Sequence, residues 1–204
     1  MDRYSPSPSI SLEAWKGDFG DRYTRRNCTS WRHCVPFFED LLGRWEGMEV
    51  LEVGCNSGHN LLALQSLGAH VRGLEPNHRA RTLAQRAGLN VVDGCAEKLP
   101  FEDEAVDLAL TAGVLIHVPS ESLRGVLWEI HRVSRKYILA VEYSAPAERP
   151  IPYREGVGCW ARPYGEEYLG ELPLRLLSSG VAPPPFQGCD WWFLEKQSPL
   201  SRPA

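Results

Sequence analysis

The chain has 204 residues, with 22 Lys and Arg against 26 Asp and Glu, a formal charge of −4. That length holds one domain with its own core and needs no disulfide or structural metal to fold. A hydrophobic content of 43% with 24% charged residues excludes a disordered chain, and the mild acidity argues against nucleic-acid or membrane-surface partners, which select a basic face.

In chain order, residues 1–9 and 197–204 read as frayed ends. The start is polar and Pro-rich with no apolar leader core, so a cytoplasmic location is expected. Trp31, Val35, Phe38, Leu42 and Trp45 recur at helical spacing, with Pro36 near the start or at a kink. Glu49–Val53 reads as a buried strand, followed by a Gly/Asn/Ser turn and a helix that Gly68 ends. His70–Glu75 is a second strand, Asn77–Arg86 a helix, Leu89–Val92 a third strand and Val106–Thr111 a fourth. The apolar run from Val106 to Val118 is interrupted by Asp107 and His117 and is too short to cross a bilayer. A helix follows with Ser120 as its expected N-cap and Leu123, Val126, Leu127, Ile130 and Val133 on one face. Tyr137–Tyr143 is a fifth strand. After a Pro- and aromatic-rich connection come a short helix over Glu166–Leu172 and two closing strands, Leu174–Leu177 and Trp191–Leu194. Alternating strands and helices imply a doubly wound α/β fold: a mostly parallel seven-stranded sheet, Rossmann-like, with an antiparallel last strand. Residues 1–204 are expected to form one domain, with 1–46 as a helical lid or cap and 47–196 as the α/β core.

The six cysteines, Cys28, Cys34, Cys55, Cys95, Cys159 and Cys189, lie far apart and read as free thiols. The six histidines are scattered too, so no metal is expected.

The strongest chemical signal is LEVGCNSG, Leu51 to Gly58: a buried strand carrying Glu52, then a turn of Gly54, Cys55, Asn56, Ser57 and Gly58 that opens a helix. Glycines let a backbone approach a ligand closely, and Asn56 is the residue other than glycine that best accepts positive φ. Glu75 ends the next strand, where a carboxylate accepts ribose hydroxyls. A dinucleotide site wants G-x-G-x-x-G, but His59 stands where the third glycine would fall. The E-x-G-x-N-x-G pattern instead matches S-adenosylmethionine, and the Asp93–Phe101 stretch, ending in LPF, follows the third strand where an adenine-recognition loop belongs.

Together with WKGDFGDRYTRRN (15–27), TAGVLIHV (111–118), YILAVEYSAPAERPIPYR (137–154) and WWFLEK (191–196), these motifs resemble the class I S-adenosylmethionine-dependent methyltransferases, and within them the pseudaminic acid biosynthesis-associated methylases. The resemblance implies that Glu52 and the Gly54–Gly58 turn hold the methionine part of the cofactor and Glu75 its ribose. It also implies that Pro76 flanks the adenine, Cys95 and Ala96 meet the adenine edge, and the Thr111 carbonyl takes the methionine amino group. Cys95 departs from the Asp common at its position, and a thiol is a poor acceptor.

His117, just beyond the fourth strand, is the candidate general base for an acceptor that must lose a proton; its other reading is a loop cap. The 15–27 stretch reads as a lid in which Trp15, Phe19 and Tyr23 exclude water and Tyr23 or Arg26 pairs with the methionine carboxylate. Glu142, Tyr143, Tyr153, Arg154, Trp160 and Arg162 are the candidate acceptor pocket, with Arg154 suited to a bidentate anion and Glu142 to orienting a hydroxyl or amine. The expected activity is methyl transfer to an oxygen or nitrogen of a small polar metabolite, a nonulosonic-type sugar or natural-product intermediate. A non-catalytic S-adenosylmethionine-binding protein is the alternative, and an NAD-dependent oxidoreductase the third reading.

Overall fold

A computed structural model describes residues 8–27, 29–154 and 157–197. The expected fraying of 1–7 and 198–204 lies outside those residues, and so does Cys28. Seven strands form one sheet: β1 (Glu49–Val53), β2 (His70–Leu74), β3 (Asn90–Val92), β4 (Val106–Ala112), β5 (Ser134–Glu142), β8 (Leu174–Val181) and β9 (Asp190–Lys196), in the order β3-β2-β1-β4-β5-β9-β8. All neighbours from β3 to β5 are parallel, while β9 is antiparallel to both β5 and β8. The chain order reverses at β1, so a crevice opens beside the carboxyl ends of β1 and β4, where ligands bind in such sheets.

Strand periodicity divides the core into two layers. Leu51, Val53, Ala109, Ile138 and Ala140 face one side with α6 (Ser120–Val133) and α7 (Tyr164–Glu171). Val50, Leu108, Leu110, Leu139 and Val141 face the other side with α3 (Val35–Leu42) and α4 (His59–Ser66). The five apolar residues expected on one face of α6 are all buried.

Several local expectations are corrected. The Trp31–Trp45 periodicity is split into a 3-10 turn, Trp31–Cys34, and α3, because the Pro36 ring at the start of α3 removes a donor. Of the stretch expected to cap the fold, Phe37, Phe38 and Trp45 belong to the core; α1 (Pro8–Lys16) and α2 (Asp18–Arg26) lie over the crevice, α2 against α5 (His78–Arg86), and Thr29 and Cys34 also reach its lining. Pro119, not Ser120, caps α6, and the Ser120 hydroxyl donates to Glu148 instead, at 2.7 and 2.8 Å. A two-stranded ribbon of β6 (Arg149–Pro150) and β7 (Trp160–Ala161) breaks the long connection; two-residue strands carry no periodic signal. Among the described residues no helix is long and apolar enough to cross a membrane.

Candidate active site

Three strand ends and the turns after them build the site. Gly54 (φ 71°), Asn56 (φ 49°) and Gly58 (φ 82°) give the turn after β1 its left-handed bends, and Asn56 takes the positive φ that its type permits. The Gly54 and Cys55 N–H groups both donate to the Leu74 carbonyl, at 2.7 and 3.0 Å, tying the turn to β2. A Cβ on Gly54 would come 2.6 Å from the Val114 side chain. Gly58 serves packing rather than ligand approach: its Cβ would sit 2.2 Å from Leu89, and it stands outside the cavity lining.

A cavity of about 340 Å³ is lined by Glu52, Gly54, Cys55 and Asn56 from the first turn, Glu75 and Pro76 from the second, and Cys95 and Ala96 from the third. Glu52 is buried. Its Oε1 accepts from Asn60 Nδ2 at 2.7 Å, whereas Oε2 has no partner. Burial pushes its carboxyl up to about 8, the Asn60 bond opposing and Glu75 adding to the rise. Glu75 is held at both oxygens by backbone N–H groups, Asn56 at 2.7 Å and Asn77 at 2.8 Å; burial raises it while those bonds lower it.

The other half of the cavity is aromatic. Trp15, buried at an unpartnered Nε1, packs edge-on against Phe19 (4.9 Å) and Tyr23 (5.0 Å) and tilts against His117 (4.7 Å). Tyr153 closes on the other face of that cluster, 4.8 Å from His117. His117 Nδ1 lies 2.8 Å from the Gly158 carbonyl. A carbonyl only accepts, so Nδ1 carries the proton and the neutral ring keeps its lone pair on Nε2. Burial drives the imidazole down to about 4, with the Gly158 bond opposing.

Tyr23, Tyr143 and Tyr153 line the cavity with Trp15 and His117. Six further expected site residues stand elsewhere. Arg26 and Arg154 are exposed and outside the lining; burial raises the Tyr153 phenol, and both guanidiniums counter that rise. Thr111 is fully buried below the floor, and Ala112 and Gly113 line the cavity in its place. Glu142 is likewise buried, its oxygens taken by backbone N–H groups, and it does not face the cavity. Arg162 is wholly buried, with the Trp160 ring 5.1 Å from its guanidinium; neither lines the cavity.

Sequence reasoning passed over several lining residues. Asn77 caps α5 through its Oδ1, and its Nδ2 donates to the Trp15 carbonyl at 3.0 Å and to Asp21 at 3.1 Å, clasping α1 and α2 to the end of β2. An Asn directly after the strand-ending Glu-Pro was the available signal. Glu97 lies beside the Cys95 thiol, which burial raises, and Pro185, Phe186, Gln187 and Cys189 reach in from the β8–β9 connection with no local signature.

Residues 51–137 match the family model described as a methyltransferase domain. Over nearly the whole chain the structure superposes on the 1,6-didemethyltoxoflavin-N1-methyltransferase of Burkholderia thailandensis, with a TM-score of 0.74, 19% identity and coverage of 97% of this chain and 94% of that one. The chain has the class I methyltransferase fold. The magnesium protoporphyrin IX methyltransferase of Synechocystis PCC 6803 shares this methyltransferase fold at a TM-score of 0.71 and 15% identity, covering 97% of this chain and 100% of that one. In sequence, a sterol 24-C-methyltransferase of Gibberella zeae is 38% identical over 141 residues, which is 65% of this chain and 36% of the relative. The chain spans 31% to 42% of the length of the first curated relatives it matches.

Proposed function

We propose that this methyltransferase-fold chain is a cytoplasmic enzyme that moves a methyl group from S-adenosylmethionine to an oxygen or nitrogen of a small polar metabolite. The observation that carries the reading is Glu52 Oε2, a buried carboxylate oxygen without a partner, beside a glycine turn and a second strand-end carboxylate. An unpaired oxygen in such a place is costly unless a donor meets it, and an ammonium group is a suitable donor. Glu75 keeps lone pairs for two ribose hydroxyls, and Leu74, Pro76 and Ala96 offer apolar walls to a purine. When bound, the cofactor supplies an electrophilic methyl group on a sulfonium.

The chain's own residues have two tasks. Trp15, Tyr23, Tyr143 and Tyr153 exclude water and hold an acceptor near the methyl, which supplies most of the acceleration in an in-line displacement. His117 Nε2 takes the acceptor proton; its ring is neutral above about pH 4, so the base form is present at neutral pH. The lid role of residues 15–27 and the likeness of 15–27 and 137–154 to pseudaminic acid-associated methylases support a nonulosonic-type sugar or a natural-product intermediate as acceptor. A small-molecule acceptor accords with the 1,6-didemethyltoxoflavin bound in the Burkholderia enzyme.

Calorimetry with S-adenosylmethionine, S-adenosylhomocysteine and NAD tests the cofactor: uptake of the first two and not the third is expected, and the reverse overturns the reading. Turnover to S-adenosylhomocysteine with alcohol and amine acceptors separates an enzyme from a non-catalytic binder. His117→Ala is expected to lower turnover by about 10²–10⁴-fold with cofactor affinity retained; undiminished turnover removes the base assignment.

A further inference from the structure

His117 ends a three-residue 3-10 turn, Leu115–His117, whose backbone is held by a buried carboxyl and a buried guanidinium. Below it, Glu142 at the end of β5 accepts the N–H groups of Val114 and Ile116, at 3.3 and 3.4 Å. Arg162 comes from the far side and donates Nη1 to the carbonyls of Leu115 and Val118, at 3.3 and 2.9 Å. Both side chains are wholly buried. The guanidinium is in turn fixed by Ser120 Oγ (3.1 Å), the Tyr164 hydroxyl (3.4 Å) and Glu148 (2.7 Å). Gly158, whose carbonyl accepts from the His117 ring, lies on the same connection as Arg162.

We propose that Glu142 and Arg162 are positioning residues that clamp the 114–118 backbone so that His117 keeps its Nδ1–H on Gly158 and leaves Nε2 to the cavity. This rests on the role given to His117 above. One clamp face takes N–H groups and the other takes carbonyls, so the turn is fixed in rotation as well as in depth. A single partner fixes neither. A surface hydrogen bond would not need this arrangement: burying two ionisable groups is unfavourable unless each finds several partners, and here each does. The pairing also explains why these two residues, read from sequence as acceptor ligands, serve the site from beneath.

The test uses the full chain with Glu142→Gln and Arg162→Lys, which keep size or charge while losing an acceptor or the forked donor. Ring ¹⁵N shifts of His117 report its tautomer and need no activity. The wild type is expected to show the Nδ1–H form alone, and each folded variant a mixture. With cofactor and acceptor present, turnover of the variants is expected to fall by about a hundredfold, as a small misplacement of a reacting group does, with S-adenosylhomocysteine affinity within about twofold. If these substitutions prevent folding, Ser120→Ala removes one exposed anchor of the guanidinium and is expected to give a smaller tautomer shift and a turnover loss of about threefold. An unchanged tautomer in folded Arg162→Lys and Glu142→Gln, or in Ser120→Ala where those two do not fold, overturns the proposal. Failure of the wild type to take up S-adenosylhomocysteine overturns the cofactor reading instead, and the tautomer measurement still decides this one.

Discussion

The two halves of the cavity are made in different ways. The half around Glu52 and Glu75 is largely backbone work: Glu75 is held by the backbone N–H groups of Asn56 and Asn77, and only Glu52 takes a side chain, that of Asn60 eight residues along. The half around His117 is assembled from side chains and segments far apart in the chain. Trp15 is held by Asn77 across 62 residues and His117 by Gly158 across 41. A turn of glycines and one Asn folds the same way wherever it is placed, whereas the aromatic half exists only after α1, α2, the connection carrying Tyr143 and Tyr153, and the sheet have docked. The first half is therefore expected to withstand changes in the second.

The largest effect is expected from Glu75→Ala, which strips the acceptor from two backbone N–H groups as well as from the ribose. S-adenosylhomocysteine should bind weaker by about 3 kcal/mol, on the order of a hundredfold, in titration calorimetry. Gly20→Ala strikes the other half. Its Cβ would lie 1.9 Å from the Trp15 carbonyl oxygen and 2.7 Å from Asn77 Nδ2, so α1 and α2 must part. The KM for acceptor is expected to rise by about tenfold, a typical cost of 1–2 kcal/mol, with cofactor affinity little changed. Equal losses of both would show that the halves are one unit. The smallest effect is a proton. With its carboxyl near 8, Glu52 is mostly protonated at pH 7 and must ionise to meet an ammonium group. Cofactor affinity should therefore rise between pH 6 and 8, by at most about tenfold per unit. It should level off above that, with proton release visible as buffer-dependent heat and absent in Glu52→Gln.

The same shifts set opposing trends in stability without ligand. Glu52 binds a proton in the folded chain that it lacks unfolded, so its contribution is lost as pH rises from 4.5 to 8. His117 does the reverse: between about 4 and 6.5 the unfolded chain binds the extra proton, and folding weakens as pH falls through that window.

The fold was legible because its signals are local. Each strand of the sheet announces itself by a short apolar run, α6 by five apolar residues at helical spacing, and the first turn by Gly54, Asn56 and Gly58. What failed was non-periodic or non-local. β8 runs on to Val181 through Ser178, Ser179 and Gly180, which carry no strand signature and are held only by pairing with β9. Glu52, Glu75 and Glu142 look alike in sequence, each at or just past the end of a parallel strand. Only the path of the following turn decides that the Val114 and Ile116 N–H groups consume Glu142 while Glu52 keeps an oxygen free. Arg162 looks like a solvated pocket charge until the backbone carbonyls of 115 and 118 close on it.

Phe186 belongs at once to the cavity wall and to the interior, tilted against Phe37 at 5.1 Å and edge-on to Phe38 at 6.3 Å. Any change there that reshapes the acceptor site also loosens the packing of α3 against the sheet. New acceptor preferences are more cheaply reached through Tyr143, Tyr153 and Gln187, whose loss leaves that aromatic cluster standing.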